Sequence, residues 1–197
     1  MSGGRHRTTT ARDARDVRAI PRELRLAGDG VVLREWTEDD LPVMVELFDD
    51  PEIAYRTPLA SPFDLDAARE YLAVIRRTRA EGRRIQLAIT ADGGRARGEV
   101  VLNLTAGTIG YVLGTAHRGQ GLAVRAVRVL TDHAHRALVV ASLCAQIEPD
   151  NRASTAVAEA AGYRLTARAP ERAEDKGRSF ALLTWVHECP GRSLPAG

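Results

Sequence analysis

The stretch Gly114-Thr115-Ala116-His117-Arg118-Gly119-Gln120-Gly121-Leu122-Ala123 decides how this chain is read. Residues 108–113 before it form a β-rich apolar run. After it, Val124, Val127 and Leu130 recur at helical spacing and face inward, which predicts an amphipathic helix over 121–137. A strand that ends in glycines and passes at once into a helix turns several backbone N–H groups and the positive end of the helix dipole toward one point. Such a point suits a phosphate. Gly119 and Gly121 carry no side chain to hold a pyrophosphate off the backbone, and Arg118 and Arg125 add positive charge. Surface turns also use Arg and Gly, so the glycine pattern by itself leaves a plain turn open.

Upstream, residues 85–90 and 99–104 read as strands joined through Ala91-Asp92-Gly93-Gly94, a hairpin signal. Leu65, Ala68, Leu72 and Ile75 make an apolar stripe with arginines on the other faces, predicting a helix over 64–81 that Gly82 stops. Residues 52–63, with Pro58, Pro62, Tyr55 and Phe63, read as a loop, either a binding surface or a plain connection. Earlier still, 31–36 is a strand, Thr37 an N-cap, and 38–48 a helix carrying Leu41, Met44, Val45 and Phe48, with Pro42 in its first turn. Downstream come a strand at 142–148, a helix at 151–161, and strands at 163–167 and 179–186. The order β-α-α-β-β-β-α-β-α-β-β predicts an α/β (α+β) domain with one mixed sheet, helices on both faces and no internal repeat.

The bulk numbers narrow the function classes. With 197 residues the chain suits one domain, assigned to 26–189, with a basic arm at 1–25 and a short tail at 190–197, both expected to be disordered. No run approaches the roughly 18 uninterrupted apolar residues of a membrane helix. The first 25 residues lack the apolar core of a secretory signal, and Asp13, Asp16 and Glu23 argue against a transit peptide, so a cytoplasmic location is expected. A net charge of +2 creates no field that calls for nucleic acid or an anionic membrane, and the arginines of the arm are interleaved with acids. Cys144 and Cys189 lie far apart with no metal-ligand spacing, and His133 and His135, two apart on a helix, face different ways, so no metal is expected.

There is no G-x-x-x-x-G-K-[ST] and no G-x-G-x-x-G, which excludes a P-loop and a dinucleotide fingerprint. The sequence Arg118-Gly119-Gln120-Gly121-Leu122-Ala123 resembles instead the R/Q-x-x-G-x-G/A signature of the GNAT acetyltransferases. Three further stretches resemble the RimJ/RimL branch of that family. They are Ile109-Gly110-Tyr111-Val112-Leu113-Gly114, the pair Pro149-Asp150-Asn151-Arg152-Ala153-Ser154 and Ala160-Ala161-Gly162-Tyr163, and the opening from Leu33-Arg34 to Asp40.

The resemblance implies a mostly antiparallel central sheet and acetyl-CoA as co-substrate, its pyrophosphate held by Arg118, Gly119, Gln120, Gly121, Leu122 and Ala123. It implies that the strand before the loop splays from its neighbour, leaving backbone groups of Tyr111, Val112 and Leu113 for the pantetheine arm; an N–H there could also hold the thioester oxygen as it becomes an oxyanion. Asn151 and Ser154 would border the pantetheine and thiol, a role compatible with helix capping. An attacking amine must be neutral, so a base or relay is expected. Some relatives carry a glutamate where Gln146 stands and a tyrosine where Ala158 stands. Ser154 therefore becomes the candidate acid. Glu99 is the candidate base, although a solvated strand-end charge is the stronger reading of that position; Glu148 and His117 are weaker candidates. The acceptor implied is an amine, either a protein N-terminus or a small molecule. A catalytically silent acyl-CoA-binding module is the alternative, as is a longer acyl donor met by Arg83 and Arg84. Relatives are often homodimers.

Overall fold

The computed structural model describes residues 20–21 and 23–190, so most of the predicted arm and tail lies outside the described residues. Of the arm, Leu24 is buried, its N–H donates to Glu35 Oε1 at 2.8 Å, and Ile20 packs on the main core. In chain order the elements are β1 (Leu26–Gly28), β2 (Val31–Arg34), a 3-10 turn (Glu38–Asp40), α1 (Leu41–Phe48), α2 (Pro51–Arg56), α3 (Leu65–Ala80), β3 (Arg84–Thr90), β4 (Gly98–Asn103) and β5 (Thr108–Leu113). Then follow α4 (Leu122–Arg136), β6 (Ser142–Ile147), α5 (Arg152–Ala160), β7 (Arg164–Leu165), β8 (Glu171–Asp175) and β9 (Arg178–Glu188).

The strands lie in the order β1-β2-β3-β4-β5-β6-β9-β7, with β8 also on β9. Among the described residues every pairing is antiparallel except β5 with β6. The sheet is therefore mixed and mostly antiparallel, as the resemblance implied. Because residues alternate in a strand, Ile85, Leu87, Ile89, Val100, Leu102, Ile109 and Leu113 face one way into the core under α4 and α5. Ala88, together with Val112 packed at its edge, faces the second core, under α1 and α3, which holds Trp36, Met44, Phe48, Phe63 and Leu72. Both faces of β3 are covered, which explains its continuous run of buried residues from Ile85 to Thr90.

Several elements differ from expectation for identifiable reasons. The helix expected over 38–48 opens as a 3-10 turn because Pro42, at the second α-helical position, lacks an N–H. The stretch read as a loop contains α2, for which Pro51 sets the first turn and Asp50 accepts from the N–H groups of Glu52 and Ile53. In α4 the inward positions are Ala123, Ala126, Val127 and Leu130, and Val124 is only half-buried. β8 was not expected because its Glu-Arg-Ala-Glu-Asp sequence has no apolar alternation; it pairs with the outer part of β9. No helix among the described residues is long and apolar enough to cross a membrane.

Candidate active site

The site is a gap in the sheet. β5 and β6 pair at one position among the described residues, Thr108 with Cys144, next to the bond from Cys144 N–H to Gly107 O at 2.8 Å. Alternation then turns the backbone groups of Ile109, Tyr111 and Leu113 toward β6, where the ladder has already stopped. Those of Val112 turn instead to β4, opposite Glu99. Tyr111 and Val112, two of the three residues expected to meet the pantetheine arm, line the cleft; Leu113 does not, and its carbonyl accepts from Arg118 Nε.

A cleft of ≈ 610 Å³ passes through this gap. On the α4/α5 side it is lined by Tyr111, Asn151, Ser154, Ala158 and Tyr163, and on the α3 side by Tyr71, Gln86, Glu99, Gly110 and Val112. The α2 turn and the segment after it, from Arg56 to Phe63, form its outer wall. That wall is tied at both ends. Asp50 Oδ2 accepts from Thr115 Oγ1 at 2.7 Å and Glu52 pairs with Arg118, while Lys176 donates to the carbonyls of Ala54 (2.7 Å) and Thr57 (3.0 Å).

Residues 118–123 lie beside the cleft rather than in its lining. Gly119 (φ +73) and Gly121 (φ +70) are left-handed, a conformation costing about 1–2 kcal/mol for residues with a Cβ, and the space around both is open. Gly121 is the N-cap of α4, whose first N–H groups have no carbonyl within the helix to receive them. Leu122 and Ala123 are buried in the core beneath α4. Arg118 and Arg125 do more than add charge: Arg118 pairs with Glu52 and donates to Leu113 O at 3.4 Å, and Arg125 donates to the carbonyls of Gln120 (3.2 Å), Asp29 and Gly30 (both 3.3 Å). A strand end past its last pairing with β6, an open glycine turn and a helix N-terminus follow one another along the chain. This arrangement fits an acyl-CoA, with pantetheine in the gap and pyrophosphate at the turn.

Glu99 is not the solvated strand-end charge expected. It is 2% exposed, because Trp36 and α3 cover that face of β4. Its Oε2 accepts from Trp36 Nε1 at 2.9 Å and its Oε1 from the Tyr71 hydroxyl at 2.6 Å; Gln86 Nε2 in turn donates to the Tyr71 oxygen at 2.8 Å. Burial pushes the Glu99 carboxyl up to about 7, against the hydrogen bonds from Tyr71, Trp36 and Gln86 that favour its charged form. Tyr71 is fixed by edge-to-face contacts with Phe48 and Phe63, with ring centroids 6.2 and 6.0 Å away. Composition did not mark Tyr71, whereas Gln86, a lone amide within an apolar strand, was a readable signal.

Asn151 caps α5, its Oδ1 accepting from Ser154 N–H at 3.0 Å, and Ser154 Oγ accepts from the Tyr111 hydroxyl at 3.1 Å. The Ser154 proton is left to donate into the cleft. Gln146 lines the cleft and donates to Glu171 Oε2 at 2.6 Å. Glu148 is gripped by Arg178 (2.6 and 2.9 Å) and Arg56 (3.1 Å), and Arg178, then Arg56, hold its carboxyl below the usual range, which makes it a poor base at neutral pH. His117 ends a second 3-10 turn (Thr115–His117) before the glycines and does not line the cleft. Arg83 turns to Glu81, whereas Arg84 lines the α3 side.

A splayed mixed sheet with an open glycine turn at the foot of the gap defines an acyl-CoA-dependent acyltransferase. Residues 31–164 match the family model described as the acetyltransferase (GNAT) domain, and the chain belongs to that family. It is an acetyl-CoA-dependent N-acetyltransferase. The uncharacterised N-acetyltransferase p20 of Bacillus licheniformis is 25% identical over 164 residues, 78% of this chain and 92% of that protein. Among solved structures, Mycobacterium smegmatis RimJ in complex with CoA-disulfide superposes with a TM-score of 0.72 at 20% identity, covering 84% of each chain. RimL, the ribosomal L7/L12 alpha-N-protein acetyltransferase, in complex with coenzyme A, gives 0.72 at 17% identity, covering 86% of this chain and 100% of that one. At these identities the structural likeness establishes the fold.

Proposed function

We propose that this enzyme acetylates a primary amine by direct attack on the thioester in a ternary complex, with Glu99 as base and Ser154 as the hydrogen-bond donor to the departing sulfur. The observation that carries the reading is the placement of the two groups. Glu99 lines the cleft from the α3 face of the sheet and Ser154 from the α5 face, so a thioester threaded between β5 and β6 meets a proton acceptor on one side and a donor on the other. With its carboxyl pushed up to about 7, Glu99 is ionised in part at neutral pH and still basic enough to take a proton. The backbone of Tyr111 would carry the pantetheine, and an N–H at this strand end would stabilise the oxyanion. When sulfur leaves, the Ser154 hydroxyl, itself backed by Tyr111, would donate a hydrogen bond to the developing thiolate, which takes up the proton that the attacking nitrogen sheds as the amide forms.

The acceptor enters from the α3 side, past the wall from Arg56 to Phe63. The likeness to RimJ and RimL favours a protein N-terminus, and an enclosed small-molecule amine is the other acceptor the cleft accommodates. An enzyme drawing on acetyl-CoA, an intracellular metabolite, fits the cytoplasmic location expected from the sequence. The test is CoA release above hydrolysis with a panel of N-terminal peptides and small amines, for the native chain and Glu99→Gln. Turnover with one acceptor class that drops at least about 10²-fold in Glu99→Gln supports the reading. Undiminished turnover in the variant overturns it.

A further inference from the structure

The hydrogen-bond inventory around Glu99 leaves it poorly placed to meet an amine itself. Both of its oxygens already receive donors, Trp36 Nε1 at 2.9 Å and the Tyr71 hydroxyl at 2.6 Å, and the side chain is enclosed. Tyr71, by contrast, is only half-buried and lines the same cleft. A phenol oxygen has one proton to give and two lone pairs. Here the proton goes to Glu99 and one lone pair receives Gln86 Nε2 at 2.8 Å, which leaves one lone pair.

We infer that Tyr71 is a catalytic residue, its open lone pair receiving the acceptor's ammonium proton while its own O–H proton passes to Glu99. This rests on the reading of Glu99 as the base. The transfer balances. The ammonium N–H bond breaks and a new O–H bond forms on Tyr71; the original phenol O–H bond breaks and an O–H bond forms on Oε1 of Glu99. Tyr71 ends neutral, Glu99 ends protonated, and the freed nitrogen lone pair attacks the thioester carbonyl. The same path reversed returns the proton to water after the product leaves.

Three features of the site are as this relay requires. The 2.6 Å separation of Tyr71 from Glu99 is at the short end for O–H···O bonds, as expected when the acceptor is charged. The Tyr71 ring is fixed between Phe48 and Phe63, so the hydroxyl does not have to be oriented at each turnover. Burial, and then the Glu99 charge, raise the phenol well above its ordinary value, so Tyr71 passes a proton along without remaining a phenolate. Arg84, from the first position of β3, also acts on the hydroxyl, and Arg56 and Glu70 line the same cleft.

The test compares Tyr71→Phe and Glu99→Gln in kcat, acceptor KM and the pH profile of kcat/KM, with acetyl-CoA affinity and thermal stability as controls. Tyr71→Phe keeps the ring packing and removes only the hydroxyl. The relay predicts that kcat falls by about 10²-fold, acetyl-CoA affinity is kept, and the residual activity titrates at higher pH, because Glu99 has lost a hydrogen bond to its charged form. If Glu99→Gln is crippled while Tyr71→Phe retains native kcat and profile, the relay is wrong and the base assignment stands. If Glu99→Gln is itself undiminished, both are wrong. Should Tyr71→Phe fail to fold, 3-fluorotyrosine placed at position 71 keeps the hydroxyl with altered acidity; an unchanged kcat and profile would then overturn the relay, and a change in either would support it.

Discussion

Thr108 and Cys144 are parallel sheet partners, and from that position onward β5 and β6 part. In the proposed mechanism the donor arm, the oxyanion and the acceptor meet in the gap they leave. Gly110 stands on its α3 side, and a Cβ added there meets nothing within 4 Å. Gly110→Leu should therefore fold normally and fill the acceptor side of the gap. We expect acetyl-CoA affinity to be kept and kcat/KM for the acceptor to fall roughly 10²-fold, read by steady-state kinetics beside calorimetry.

Glu99 also gives stability a particular pH dependence. Its carboxyl is raised in the folded protein, from an ordinary 4.5 to about 7, so the folded state holds the proton more tightly than the unfolded chain. Stability from this group is fully present below about pH 4.5 and is lost as pH rises to about 7, a loss on the order of 3 kcal/mol. Glu99→Gln should remove this component. Urea unfolding at pH 5 and pH 8 should show the variant gaining on the native chain at the higher pH. A constant difference between the two would contradict the buried, raised carboxyl.

Asn151 has a measurable structural duty apart from the ligand. Its Oδ1 satisfies Ser154 N–H at the start of α5, so Asn151→Ala should cost about 1 kcal/mol in denaturant unfolding, and Asn151→Asp, which can still cap, much less. Equal losses would show that capping is not what Asn151 supplies.

Glu148 separates the acid–base machinery from the ion pairs around it. Held down by Arg178 and Arg56, it does not titrate near neutrality. Glu148→Gln should leave the pH midpoint of kcat/KM where it was and disturb the wall carrying Arg56, raising acceptor KM. A shift of the midpoint would give Glu148 a proton-transfer role.

Much of the fold was legible because the sequence alternates strongly where one face is buried and keeps a period of 3.6 along α3 and α4. What escaped did so for physical reasons. β8 is a charged strand on the outer part of β9, and β1 is three residues long, so neither has a periodic signal. α2 is specified by a cap and a proline rather than by an apolar stripe. The glycine turn was readable because left-handed backbone demands glycine. The standing of Glu99 was not, since its burial depends on Trp36 and Tyr71, which are 63 and 28 residues away in sequence.

In the proposed complex acetyl-CoA lies with its arm between β5 and β6 and its pyrophosphate on the turn at Gly119 and Gly121. Calorimetric binding of acetyl-CoA to the native chain, Gly121→Asn and Gly121→Glu tests it directly. Asparagine tolerates the left-handed backbone and controls for strain, whereas glutamate puts a carboxylate where the pyrophosphate should lie. Native-like binding by Gly121→Asn with loss of binding in a folded Gly121→Glu is the predicted result. Undiminished binding by Gly121→Glu would contradict the assignment of the turn.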